Sequence, residues 1–256
     1  MMSFFNKDKE FVLKEVKSSV KGLTTAESEE RIAQYGENKL AEKKKKSPII
    51  VFLEQFKDLL VIILLIAAII SGITGEWAGM GVIFAVIILN AILGTVQYLK
   101  AEKSLSALKK LSAPSAKVLR DGVVVTIPSE KVTIGDIVVL EAGDLIVADG
   151  RIIENYSLQV NESSLTGEST AVDKTDMVLE GENIALGDQI NMVFSGSLVT
   201  YGRAIMVVTS IGMDTEIGKI AKLMNDTGEK LTPLQKSLNK FSQMLAIIIM
   251  GISVVV

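Results

Sequence analysis

Apolar residues in this chain are concentrated in uninterrupted blocks, a pattern typical of membrane-spanning helices. Leu59–Gly75 and Trp77–Leu99 contain no charged side chain, and each approaches the roughly 20 residues that a helix needs to cross a bilayer. Ser71–Glu76 between them has room only for a turn. The blocks therefore predict a transmembrane helical hairpin. A third apolar run, Phe241–Val256, predicts the start of a third transmembrane helix in which the sequence stops, so we expect a piece of a longer protein.

Charged residues at the ends of these blocks predict the orientation of the hairpin. Lys39 and Lys43–Lys46 precede the first block, whereas four lysines follow the second: Lys100, Lys103, Lys109 and Lys110. The connecting turn has none, so the positive-inside rule places both ends of the hairpin in the cytoplasm. Helical spacing continues through Ala101–Leu111 and predicts a cytosolic stalk that ends at Pro114. We expect a multi-pass protein of the cell membrane.

After Pro114 the pattern changes to short alternating runs that predict β-strands. Turn sequences such as Asp121-Gly122 and Tyr201-Gly202 separate several of the runs. The predicted strands are 117–120, 122–127, 136–140, 150–153, 158–160, 192–199 and 203–211. They indicate a cytosolic antiparallel β-sandwich or distorted jelly roll, followed by a helix at Thr215–Asn225 and a polar linker at Asp226–Lys230.

The first 40 residues predict two short amphipathic helices that pack on another part of the protein. The apolar face of the first helix is predicted to comprise Phe11, Val12, Val16 and Val20. Thr24 and Glu27 have the spacing of a capping box at the start of the second helix, and Gly36 is placed as its C-cap. The sequence as a whole thus predicts an α + β membrane protein with four segments. These are a cytosolic helical segment (1–47), the hairpin with its stalk (48–112), the β domain (113–230), and a linker with the start of the third transmembrane helix (231–256).

Composition narrows the chemistry. The chain has no Cys and no His, and 27 Lys and Arg against 30 Asp and Glu leave a net charge of −3. Disulfides, thiolate nucleophiles and imidazole bases are therefore excluded within these 256 residues. The charge balance gives no reason to expect nucleic-acid binding. Acid–base work falls to carboxylates, lysine, tyrosine or water.

One polar loop and two acidic residues are candidates for function. Thr166-Gly167-Glu168-Ser169 places a carboxylate beside a glycine and two hydroxyls, which could present a general base on an exposed turn. An ordinary polar loop is the alternative. Glu54 and Asp58 precede the first apolar block; they are expected to reach toward water at the membrane interface, and a part in ion entry is the second interpretation. No residue is predicted to bind a cofactor.

Several motifs occur in a specific order around these features. The first runs from Gly22-Leu23-Thr24 to Gly36-Glu37-Asn38-Lys39-Leu40. The others are Leu53-Glu54-Gln55-Phe56-Lys57-Asp58, Gly135-Asp136-Ile137-Val138, Gly143-Asp144 with Ala148-Asp149, Leu165-Thr166-Gly167-Glu168-Ser169, Phe194-Ser195-Gly196, Thr215-Glu216-Ile217-Gly218-Lys219 and Thr232-Pro233-Leu234-Gln235. From about residue 10 to residue 256 the chain resembles the N-terminal part of a P-type (E1-E2) cation-transporting ATPase of the calcium-pump-like type II branch. Lys57 departs from the pattern, because calcium pumps often have an acidic residue there.

The resemblance implies that the β domain is an actuator domain. In such pumps ATP, bound with Mg²⁺ in other domains, phosphorylates an aspartate, and the actuator loop then promotes hydrolysis of the acyl-phosphate. Glu168 would position and activate the water, Gly167 would allow close backbone approach, and Thr166 and Ser169 would shape the loop. The phosphorylation, nucleotide-binding and remaining transport domains are expected outside these residues. The chain alone is therefore expected to be inactive.

The resemblance favours Ca²⁺ as the transported cation and leaves alternatives. A pump for H⁺, Na⁺ or another monovalent cation is one. A heavy-metal pump is disfavoured because the chain has no Cys and no His. A truncated, non-catalytic, membrane-anchored β domain that only binds partners is an alternative from a different class. The expected partners are the lipid bilayer, the remaining domains and the transported cation.

Overall fold

A computed structural model of the chain describes residues 4–41, 46–111, 114–181, 183–226 and 233–255. They form two compact units, one of residues 1–42 with 113–227 and the other of residues 43–112 with 228–256. The helices are α1 Lys9–Glu15, α2 Thr25–Tyr35, α3 Pro48–Gln55, α4 Leu59–Ile73, α5 Trp77–Leu111, α6 Ser163–Thr166, α7 Glu216–Asp226 and α8 Pro233–Val255. The strands are β1 Ser115–Arg120, β2 Val123–Pro128, β3 Ile137–Glu141, β4 Asp149–Asn161, β5 Val172–Asp173, β6 Met192–Val193 and β7 Leu198–Ser210.

The first unit is built on an antiparallel sheet in the order β2-β1-β3-β7-β4-β5, with β6 paired to β4. This confirms the predicted antiparallel β domain. Its core is made of inward-facing aliphatic side chains from β1, β3, β4 and β7, among them Val118, Leu140, Ile152 and Met206. Asp121 and Gly122 both have positive φ, as the predicted hairpin turn between β1 and β2 requires.

The predicted turn at Tyr201-Gly202 is wrong, because β7 runs through it without interruption. The runs 150–153 and 158–160 likewise belong to the single strand β4. Gly202 has a φ of 74° and lies opposite a register shift between Tyr156 and Gln159 of β4. A Cβ at Gly202 would lie 2.1 Å from the carbonyl oxygen of Ser157, so the glycine is part of a β-bulge. Gly202, which in the sequence has the appearance of a turn residue, therefore lies at a bend in the paired strands β4 and β7.

The N-terminal helices pack on this β domain, as expected. Val12, Leu13 and Val16 are buried against residues of β3, β4 and β7. Phe11 and Val20, by contrast, are exposed, so the predicted apolar face was wrong at these two positions: α1 ends at Glu15, before Val20. The capping box and the glycine C-cap of α2 are both confirmed.

Arg31 of α2 links the helices to the β domain. Its guanidinium donates to the carbonyl oxygens of Val16 (2.8 Å), Lys17 (2.6 Å) and Ile134 (2.6 Å). Its three acceptors thus lie at the end of α1 and before β3. One side chain therefore ties both N-terminal helices to the β domain.

The second unit contains the apolar helices. Trp77–Leu108 within α5 is long and apolar enough to span a membrane, and α3 with residues 60–73 of α4 could form a second span bent by 65°. α5 continues to Leu111, which agrees with the predicted helical stalk. The third apolar run lies in α8. Four residues of the predicted linker, 227–230, lie outside the described residues.

Candidate functional site

The candidate loop begins with one helical turn that was not predicted. After β4 ends at Asn161, the carbonyl oxygen of Glu162 accepts from the amides of Leu165 (2.9 Å) and Thr166 (3.0 Å). Gly167 closes the turn in the left-handed conformation, with a φ of 79°. Residues with a Cβ are disfavoured there. This turn sets the direction in which the chain continues into Glu168.

The four predicted residues occupy two different environments. Thr166 is half-buried, and its hydroxyl donates to the carbonyl oxygen of Glu162 (3.2 Å) and accepts from the amide of Glu168 (3.2 Å). Gly167, Glu168 and Ser169 are exposed. Within the described part of the chain, no hydrogen bond or ion pair engages the Glu168 carboxylate. The loop thus presents a free carboxylate beside a glycine on a hydrogen-bonded support.

Two neighbouring segments contact the helical turn and hold it in place. Leu165 packs against an aromatic cluster that includes Phe5 and Phe194. The hydroxyl of Ser164 donates to the carbonyl oxygen of Gly196 (3.3 Å). The N-terminal segment and the loop after β6 therefore both contribute to holding the loop in place.

A buried ion pair lies at the base of the loop, and sequence reasoning missed it. Glu162 and Lys174 are 1% and 5% exposed, and Lys174 Nζ lies 2.6 Å from Glu162 Oε1. Burial raises the pKa of Glu162 and lowers the pKa of Lys174, while the attraction between them opposes both changes. The signal was available in part, because Glu162 continues the inward alternation of Leu158 and Val160. Its partner could be found only from the pairing of β4 with β5.

Asp149 is a second buried carboxylate of this unit. It is 4% exposed and accepts hydrogen bonds from the backbone amides of Ser195 and Glu216, both 2.8 Å. Burial raises its pKa to about 6, although the two amides act in the opposite direction. In the sequence it stood out as part of the motif Ala148-Asp149. In the structure it joins the start of β4, the loop after β6 and the first turn of α7.

The two ion-entry candidates have structural contacts in the second unit. The Glu54 carboxylate pairs with Lys46 at 2.7 Å. Asp58 accepts from the amide of Leu60 at 2.9 Å and thereby caps α4. Among the described residues no group of three acidic, His or Cys side chains is arranged to hold a metal ion.

Two family models match the chain. Residues 110–225 match the P-type ATPase actuator domain, and residues 4–71 match the N-terminus of cation transporters/ATPases. The first match contains the whole loop described above, and together the two cover most of the chain. The chain belongs to the P-type cation-transporting ATPase family.

Individual relatives agree with this assignment. The chain is 48% identical over 251 residues to calcium-transporting ATPase 1 of Lactococcus lactis, covering 98% of the chain and 28% of that protein. It is 46% identical to a calcium-transporting ATPase of Listeria monocytogenes and 41% identical to one of Bacillus subtilis, in each case over 100% of the chain and 29% of the relative. The chain thus spans less than a third of the length of these P-type ATPases, and it includes their actuator domain.

Proposed function

We propose that this chain is the N-terminal part of an ATP-driven Ca²⁺ pump, and that Glu168 is the residue that positions and activates water to hydrolyse its aspartyl-phosphate. The arrangement of the actuator loop carries the proposal. Glu168 is exposed and has no partner within the described residues. It follows a left-handed glycine on a turn that two other segments support.

The proposed chemistry suits these residues. Water that attacks phosphorus must be oriented in line with the leaving oxygen and must lose a proton, and a free carboxylate can do both. Gly167 has no side chain, so the backbone beside Glu168 can approach a phosphoryl group closely. Thr166 holds the amide of Glu168 and therefore shapes the loop. Ser169 lies next to the carboxylate as a further shaping residue.

Replacement of Glu168 by Gln in the whole pump tests the role of the carboxylate. The amide cannot accept the water proton, so phosphorylation by ATP should proceed normally while the phosphoenzyme decays about a hundredfold more slowly or worse. The measurement is the decay of radiolabelled phosphoenzyme after an unlabelled ATP chase. Glu180→Gln is the matched control, since Glu180 is an exposed carboxylate of the same unit. Wild-type decay in Glu168→Gln would refute the assignment.

The relatives' names support Ca²⁺ as the transported ion. Membership of the P-type ATPase family supports the use of ATP and Mg²⁺ by the whole pump. Residues outside this chain would bind them. We further propose a multi-pass membrane protein with its N-terminus and β domain in the cytoplasm, divided into the segments 1–47, 48–112, 113–230 and 231–256. ATP-dependent uptake of Ca²⁺, compared with Na⁺ and H⁺, into inverted vesicles that contain the whole pump tests the ion assignment. Uptake of Na⁺ or H⁺ without Ca²⁺ would contradict it.

A further inference from the structure

We propose that the buried Glu162–Lys174 ion pair positions the actuator loop, so that both residues act on phosphoenzyme hydrolysis through Glu168. They are positioning residues, because both side chains are buried and would act only through the loop that carries Glu168. The inference rests on the proposed function of Glu168 and adds to it the part of the structure that holds the loop in its working geometry.

The pair joins the two ends of the loop. Glu162 lies between β4 and the helical turn, and Lys174 directly follows β5. The backbone amide of Lys174 donates to the carbonyl oxygen of Leu158 (2.9 Å), which extends the pairing of β5 with β4. The side-chain contact of 2.6 Å then connects the residues on either side of segment 163–173. The loop therefore leaves the sheet after β4 and rejoins it at β5, and the ion pair links the residues at these two points.

Glu162 transmits this restraint to Glu168 through hydrogen bonds. Its carbonyl oxygen accepts from the amides of Leu165 and Thr166 and from the hydroxyl of Thr166. That hydroxyl in turn accepts from the amide of Glu168 at 3.2 Å. A displacement of Glu162 would therefore move the whole turn, because Leu165 and Thr166 are hydrogen-bonded to its carbonyl oxygen and Glu168 is hydrogen-bonded to Thr166.

Lys174 is held on its other side by the loop after β6. Its ammonium lies 5.8 Å from the centre of the Phe194 ring, within the range of a cation–π contact. Phe194 precedes Gly196, whose carbonyl oxygen accepts from the hydroxyl of Ser164 in the turn. The same short segment thus contacts both the ion pair and the turn.

Stability alone is a weak reason to place charges here. Removing two charges from water is costly, and apolar side chains of similar volume often replace a buried ion pair without loss of stability. An ion pair at 2.6 Å, however, fixes the distance between its two residues more narrowly than apolar contact does. The energetic disadvantage of burial is consistent with a role in geometry.

The test compares an apolar replacement with the ion pair in the whole pump. Glu162→Leu with Lys174→Met removes both charges together, so that neither is left buried and unpaired. We expect this double variant to be phosphorylated by ATP at the wild-type rate and its phosphoenzyme to decay about tenfold to a hundredfold more slowly, as expected for a misplaced catalytic group. The matched control is Glu141→Leu with Lys117→Met, which removes a surface ion pair of the same unit; Asp144, the second partner of Lys117, is partly exposed and can be solvated by water.

Several outcomes decide the proposal. Decay of the double variant within twofold of wild type would overturn it and leave a purely structural pair. Glu162→Asp provides a second measure if the double variant does not fold, because it keeps both charges and shortens the reach of the carboxylate; normal decay in this variant would also overturn the proposal. Parallel measurement of Glu168→Gln separates the two ideas. If Glu168→Gln slows decay and the pair variants do not, only the positioning role fails, whereas normal decay in Glu168→Gln overturns both.

Amide hydrogen exchange supplies a readout that does not depend on turnover. In the double variant, exchange at Leu165, Thr166 and Gly167 should be faster than in wild type, since their acceptors are the carbonyl oxygens of residues 162 and 163. Exchange in β3 and β7 should not change. Equal exchange at the three loop amides would contradict the proposed restraint.

Discussion

Asp149 leads to a prediction about pH whose sign is unusual for an acidic residue. Burial raises its pKa to about 6 from an ordinary value of 3.8. Between these pH values the folded chain keeps a proton on Asp149 that the unfolded chain has lost. The contribution of Asp149 to stability is therefore largest below the unfolded pKa, and it decreases as the pH rises toward the folded pKa.

The size of the effect follows from the difference in pKa. It amounts to about two pH units, and each unit corresponds to about 1.4 kcal/mol, so the ionised carboxylate lowers the free energy of unfolding by about 3 kcal/mol at neutral pH. The two amide donors at 2.8 Å oppose this loss, and the pKa of about 6 already includes them. Asp149→Asn removes the titration and retains the shape of the side chain.

The assay compares wild type and Asp149→Asn across pH, which cancels the titration of all other groups. Both chains are unfolded with urea in detergent at several values between about pH 4 and pH 7, and unfolding is followed by pulsed hydrogen exchange of peptides from β3, β4 and β7. We expect the stability of wild type relative to the variant to fall by about 2.4 kcal/mol over this range, because part of the full effect is already lost at pH 4. Asn has one side-chain oxygen where Asp149 has two, so one of the amides of Ser195 and Glu216 loses its acceptor in the variant. This loss lowers the stability of the variant by an amount that does not depend on pH.

Two results would refute this reasoning. A constant difference between the two chains would mean that water reaches the Asp149 carboxylate and that burial does not govern its ionisation. A wild type that gains stability relative to the variant as the pH rises would mean that the amides of Ser195 and Glu216 outweigh burial.

Two further predictions concern glycine and arginine positions. Gly167→Ala should lower the free energy of unfolding by about 1 kcal/mol, a cost that comes only from the left-handed backbone, since no atom lies within 4 Å of the added Cβ. Gly202→Ala should cost clearly more, because its Cβ would lie 2.1 Å from the carbonyl oxygen of Ser157. Urea unfolding of both variants measures the two losses. Equal losses would show that backbone conformation alone decides at both sites. Arg31→Met should leave the carbonyl oxygen of Ile134 without its guanidinium donor and lower the free energy of unfolding by about 1–3 kcal/mol. Relative to wild type, amide hydrogen exchange should accelerate more in α1 and α2 than in β7. Unchanged exchange in α1 would contradict the linking role of Arg31.

Local signals in the sequence predicted local structure well. Thr24 with Glu27, Gly36 and Asp121-Gly122 each lead to the structure expected, because capping and tight turns depend on residues a few positions apart. The candidate loop could be proposed for a similar reason, since its polar residues are contiguous in the sequence. Tyr201-Gly202 misled because a bulge and a turn require the same glycine conformation, and only the partner strand distinguishes them.

Features that depend on distant pairing could not be predicted. Lys174 lies beside Glu162 only because β5 pairs with β4, and a lysine in a polar segment gives no sign that it will be buried. The surroundings of Asp149 come from three separate segments. These carboxylates acquire their properties from burial, and burial is decided by the tertiary fold.

The division of the first unit between residues 1–42 and 113–227 has a consequence for the order of events during synthesis. α1 has seven residues and is too short to be stable alone, and its buried face packs on residues as distant as Val207. At about 5–20 residues per second, the ribosome needs roughly 10 to 40 s to progress from α1 to that strand. Both apolar segments that precede β1 are complete before then. The N-terminal helices must therefore remain without their packing partner while the apolar helices α4 and α5 are made, and a chain interrupted before β7 would expose them to chaperones and proteases.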